Sequence, residues 1–183
     1  IRKIANKIEY SPSIIYHYFD DKEEILNILM QRGYKEIVSA VSSVEIEGDS
    51  PEEILIQMTK NYIKAALKMP DEFMAAQLSQ SKMALKHTSS LFEGASKEKP
   101  AMSALYQCLE VIYKDKDVDD NTIELTAQMI VVSTLGLIFK IIIEKDIAEE
   151  QREKLIDFYS NEIVLRIVNG IYWTSINING FNY

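Results

Sequence analysis

Ser50-Pro51-Glu52-Glu53 can begin only one kind of element. A serine side chain satisfies a free N–H of a first helical turn, and proline is pre-set for the position that follows. Glutamate three residues after the serine closes a reciprocal bond. The same signature stands in weaker form at Ser11-Pro12 and at Asp21-Lys22-Glu23-Glu24. Apolar residues recur at helical spacing, once before Ser11 and again after the later starts. The first set is Ile1, Ile4, Ala5 and Ile8. The later sets are Ile25, Ile28, Leu29, Ile37, Val38 and Val41, then Ile54, Leu55, Met58, Tyr62, Ile63 and Ala66. Only four prolines and six glycines interrupt 183 residues. The fold class this implies is all-α, without strands or repeats.

The spacing predicts about eight helices, over residues 1–8, 11–19, 21–44, 50–70, 71–86, 101–113, 122–145 and 148–173. Polar or charged connections fall at 45–49, 87–100 and 115–121. The Asn-rich tail 174–183 shows no helical period. A boundary after residue 44 separates two short helices and a long one (1–44) from a larger helical part (45–183).

Residues 129–143 are apolar nearly all round, apart from Lys140 and a few small residues. The run falls short of the roughly 20 residues that a membrane span needs, which favours a buried helix and no membrane partner. Such a helix must be covered on more than one side. A core on one face and a second copy of the chain on the other is the economical arrangement. The last helix is similarly rich in apolar residues, so two helices from each chain would form a four-helix homodimer interface. Its candidates are Gly136, Phe139 and Ile143 on one helix and Phe158, Tyr159, Ile163, Ile167 and Gly170 on the next.

The first nineteen residues carry the most specific pattern. Two short helices that cross at a fixed angle need a small residue at the contact, apolar neighbours and a tight turn. Ala5 is the small residue, and Ile4, Ile8, Tyr10, Ile15 and Tyr18 are placed to form a small core. The stretch IRKIANKIEYSPSIIYHYFDDKEEIL resembles the TetR family of bacterial transcription regulators. The matching elements are the Ile-Arg-x-Ile-Ala helix, the serine after the turn, the Tyr-His-x-Phe ending and the Lys-Glu-Glu-hydrophobic helix start. The resemblance covers about the first thirty residues.

It implies an N-terminal helix-turn-helix, here lacking a first helix expected before Ile1, joined by a long helix to a ligand-binding and dimerisation domain. It implies DNA contacts from Arg2, Ser11, Ser13, Ile14, Tyr16, His17 and Lys22, with Phe19 in the core. Two positions depart from the pattern. Glu9 stands where a turn glycine is usual, and a glutamate adopts positive φ at a cost of about 1 kcal/mol. Ile14 can offer a base edge only apolar contact. With a net charge of −8, any DNA contact must be local.

The resemblance also implies an effector cavity in the middle helices, which are rich in methionine and aromatic residues. The candidates are Met58, Tyr62, Phe73, Met74, Met102, Tyr106 and Phe139, for a small and largely apolar ligand. The expected function is a repressor, released from a palindromic double-stranded operator when a ligand tilts the helix over 22–44. The alternative is a ligand-binding or adaptor protein of the same fold with weak or no DNA binding. Catalysis is not expected. The two histidines, His17 and His87, lie far from Cys108 in sequence, and there is neither a glycine-rich phosphate loop nor a Glu-x-x-His pair. No cofactor or metal is expected. A single cysteine precludes an intrachain disulfide and fits a reducing cytoplasm.

Overall fold

The computed structural model describes residues 1–42, 44 and 50–178, the segment 172–178 as backbone only. The expected loop at 45–49 and the end of the tail lie outside the described residues. Those described form helices and connections, with no strand. In chain order the helices are α1 (Arg2–Lys7), α2 (Pro12–Tyr18), α3 (Lys22–Ser42), α4 (Pro51–Lys68), α5 (Pro70–Leu78) and α6 (Lys82–Thr88). There follow α7 (Ala95–Glu98), α8 (Pro100–Tyr113), α9 (Asp120–Ile143) and α10 (Glu149–Phe158). A π-helical turn (Tyr159–Ile163) then leads into α11 (Val164–Ile178).

Two of the three start signals cap their helices as chemistry requires. Ser50 Oγ accepts from the Glu53 amide at 3.2 Å while Glu53 Oε2 accepts from the Ser50 amide at 2.9 Å. At α3 the Asp21 carboxylate accepts from the Glu24 amide at 2.8 Å, and the Glu24 carboxylate accepts from the Asp20 amide rather than from Asp21. Ser11 precedes α2 with extended backbone, but its hydroxyl makes no capping bond, contrary to the expectation for a serine there.

Helix α4 is the hub of the larger part. It packs against α3, α5, α8, α9, α10 and α11. Leu55 and Ile63 of α4, Leu109 of α8, Ile138 of α9, Ile156 of α10, and Val164 and Val168 of α11 are fully buried together. Two ion pairs join α4 to α10, Lys60–Asp157 at 2.7 Å and Lys64–Glu153 at 3.9 Å. The second is about half-exposed on both sides and adds little to stability, whereas in the first the Lys60 side chain is largely covered and Asp157 is exposed. Tyr113 donates to the Val168 carbonyl at 2.8 Å and ties α8 to α11.

Four boundaries differ from the sequence expectation. The helix expected over 71–86 is two helices, because Ser81 leaves the helix and caps α6 by accepting from the Ala84 amide at 3.1 Å. The connection at 87–100 contains α7, which Gly94 enters at φ +83°, a left-handed conformation that glycine adopts without strain. The last helix holds a π-helical turn, in which Ser160 Oγ is buried without a hydrogen-bond partner among the described residues. Finally, α11 continues to Ile178, through the part of the tail expected to lack helical period.

By length and composition α9 could cross a membrane, since it has 24 residues and a window of mean hydropathy 1.9. That exceeds the shorter apolar run read from sequence. The helix packs against α4, α8 and α11 instead, and its buried face includes Thr126, Gln128 and Thr134. Gln128 donates to the Phe92 carbonyl at 3.1 Å, while the threonine hydroxyls donate to carbonyls one turn back.

Leu109 is fully enclosed in the core. Leu109→Ala is expected to cost about 2–5 kcal/mol. Urea unfolding followed by circular dichroism measures this, and a loss below 1 kcal/mol would contradict the packing described.

Candidate functional site

Two regions combine exposure, shape and chemistry: the α1–α2 pair, and a cavity bordered by α3.

Helix α1 ends in a Schellman arrangement. Glu9 takes φ +59°, the Tyr10 amide donates to the Ala5 carbonyl at 3.0 Å, and the Glu9 amide donates to the Asn6 carbonyl at 3.4 Å. Glu9 is the one non-glycine residue at positive φ among the described residues. The turn therefore has the geometry of a glycine turn without the glycine. It sets α2 against α1 through Ala5 and Ile15, both buried.

The rest of the expected small core is not enclosed. Ile4, Ile8, Tyr10 and Tyr18 are exposed, Tyr18 to 71 %. Helices of six and seven residues have a contact too small to cover so many large side chains, and the pair packs mainly on itself. Arg2, Ser11, Ser13, Ile14, Tyr16, His17 and Lys22 are all exposed, and Phe19 is half-buried. The charge here is mixed. Arg2, Lys3, Lys7 and Lys22 stand beside Glu9, Asp20, Asp21, Glu23 and Glu24.

The second region is a cavity of about 250 Å³ whose wall is contributed by α3, α4, α5, α8, α9 and the end of α6 with the connection after it. Of the residues expected from sequence, Met58, Tyr62, Phe73 and Met102 line it. Met74, Tyr106 and Phe139 do not. Met74 is half-buried elsewhere on α5. Tyr106 lies beside Asp120, Glu110 and Glu124, and burial, followed by those charges, raises its pKa. Phe139 stands behind the wall, edge-on to Phe73 with ring centroids 6.5 Å apart.

Sequence reasoning missed the α3 face: Leu26, Leu29, Met30, Gly33, Tyr34, Ile37 and Val41. Leu26, Met30, Gly33 and Ile37 follow one another at helical spacing and could have been found as a second stripe on that helix.

Thr59 and Thr134 border the cavity, but their hydroxyls are used internally. Thr59 donates to the Leu55 carbonyl, and Thr134 donates to the Ile130 carbonyl. The Tyr62 hydroxyl is different. Burial raises its pKa strongly, which keeps it protonated, and it has no hydrogen-bond partner among the described residues. Its ring meets Phe73 edge-on at 6.2 Å. At the α6 end stand Tyr34 and His87, with ring centroids 5.3 Å apart, and Lys99. No group of three or more possible metal ligands occurs among the described residues.

The face of α9 away from the core is also apolar and open. Leu125, Met129, Val132, Gly136 and Ile143 follow one another at intervals of three, four or seven residues and are exposed. Phe158 and Gly170 are exposed as well, whereas Phe139, Ile163 and Ile167 are half-buried. Tyr159 points inward. Its hydroxyl lies 2.6 Å from Ser133 Oγ and 3.0 Å from Thr134 Oγ1, so it belongs to this chain's own core rather than to an outer surface.

The chain matches no family model, no curated protein and no solved structure.

The Schellman turn makes Glu9 the strained point of the N-terminal pair. Glu9→Gly is expected to stabilise the turn by about 1 kcal/mol. Hydrogen exchange at the Tyr10 amide reports this directly. Faster exchange in the variant would mean that the glutamate side chain, not the backbone conformation, holds the turn.

Proposed function

We propose that the protein is a TetR-like transcription regulator, a homodimeric repressor that leaves a palindromic DNA operator when a small, largely apolar molecule occupies the cavity. The observation that carries this reading is the double position of α3. Its first turn follows α2 after three residues, and its inner face is a wall of the cavity. A molecule that binds one tilt of α3 better than another shifts the population toward that tilt, and the α1–α2 pair follows. In a two-fold dimer this changes the separation of the two α2 helices, which must match two half-sites on the duplex.

The exposed residues of α2 support the assignment of roles. Ser13, Ile14 and His17 are free to meet base edges, while Arg2 and Lys22 are free to meet phosphates. The open apolar face of α9 supports the dimer, since a single chain leaves it in water. An adaptor role without DNA remains the second reading, favoured by the five carboxylates set among four cations in residues 1–24.

A gel-shift titration with DNA from upstream of the protein's own coding region tests the first reading. Binding is expected to weaken steeply with salt, and Arg2→Ala or Lys22→Ala should each reduce the slope of log affinity against log salt by about 1. No binding at low salt would favour the adaptor. For the dimer, Val132→Arg is expected to convert the protein to a monomer in sedimentation. A monomeric parent protein would refute the interface.

A further inference from the structure

The cavity has two chemically unlike ends. Around Met58, Leu105, Ile130 and Leu135 it is hydrocarbon, because the neighbouring threonine hydroxyls are bonded to backbone carbonyls. At the end of α6 its border is polar, with His87, Thr88, Ser89 and Ser90, and Lys99 is the one cation in the wall among the described residues. Lys99 borders the cavity there and donates to the Lys86 carbonyl, with its ammonium 5.7 Å from the centre of the Phe92 ring. One of its three N–H groups is used in that bond, and no carboxylate pairs with it among the described residues. His87 lies beside it on the same rim. Burial holds this imidazole below its usual range, and the charges of Lys86 and Lys99 act in the same direction. The one carboxylate in the cavity wall among the described residues is Glu72, which is exposed on α5.

From this polarity we propose that the effector is a single-chain amphiphile with an anionic head, its carboxylate at Lys99 and His87 and its hydrocarbon tail between α3, α4, α8 and α9. The inference rests on the cavity being the effector site of the regulator proposed above. It adds the charge of the ligand and the direction in which it lies. About 250 Å³ is below the roughly 300–1,000 Å³ of sites for drug-sized ligands, which suits a tail of about ten carbons rather than a polycyclic molecule. A carboxylate at Lys99 would be held by charge-assisted hydrogen bonds in a partly dry setting, where such bonds are strong.

Three probes that share one tail separate the possibilities: decanoate, decanol and decyltrimethylammonium, each titrated calorimetrically below its micelle-forming concentration. Decanoate is expected to bind at least tenfold more tightly than decanol, and the ammonium least. Lys99→Ala should remove most of that preference while changing decanol affinity less than twofold. Leu105→Trp, at the hydrocarbon end of the cavity, should weaken all three. Decanol binding as tightly as decanoate, preference for the ammonium, or equal loss of decanoate and decanol affinity in Lys99→Ala would each overturn the anionic head. So would an absence of binding by all three. The wild-type comparison decides the matter even where a variant fails to fold. Tight decanoate binding that leaves DNA affinity unchanged would uphold the ligand assignment and refute the regulatory mechanism, so the two failures are distinguishable.

Discussion

Helix α3 belongs to two settings: α4, α5, α6 and α8 pack along it, and α2 is joined to its start by three residues. Met30 and Val41 are buried beneath the larger helical part, and Tyr34 and Ile37 border the cavity. Its N-terminus is fixed by carboxylate caps next to α2. Because an α-helix of 21 residues is a nearly rigid rod of about 30 Å, a change of packing at its middle must appear as displacement at its end. The cavity wall is where such a change costs least. A cavity lacks the close contacts that lock the rest of the core, so side chains there can be re-set by an occupant. The proposed regulation depends on this lever, whereas the ligand assignment depends only on the cavity.

Much of the fold was legible because helix starts and helical periodicity are local. Ser50 to Glu53 behaves as its four residues dictate, and the positive φ at Glu9 follows from a turn that the backbone closes whatever side chain is present. Other features depend on what surrounds a residue. Ser79-Gln80-Ser81 reads as an ordinary polar helix surface until Ser81 is seen capping α6. Met74, Tyr106 and Phe139 have the same chemistry as the residues that line the cavity, and only the rotation of their helices turns them aside. Tyr159 was expected outside because its neighbours are apolar. It lies inside because Ser133 and Thr134 meet its hydroxyl there. The α3 face was missed because two apolar stripes share that helix.

The N-terminal pair illustrates a different balance. Its charges nearly balance, so under the proposed function attraction to a nucleic-acid backbone would have to come from a few well-placed cations against nearby carboxylates. Discrimination would then fall on contacts of short range, through side chains such as Tyr16, His17 and Ile14, all of them exposed. The same exposure leaves the pair poorly supported by packing. Its order therefore rests to an unusual degree on backbone closure at the turn and on the caps of α3.

The π-helical turn at Tyr159–Ile163 bears on chain length. Such a turn spreads one residue more than an α-helical turn over nearly the same rotation. The extra residue is absorbed within the five, so Ile156 before the turn and Val164 and Val168 after it all face the core. In an unbroken α-helix the eight-residue step from Ile156 to Val164 would leave the two about 80° apart. Deleting one of the five would instead close the turn to a regular α-helical one and keep both valines inward. The segment works as a splice that takes up a change of chain length without disturbing the last layer of the core.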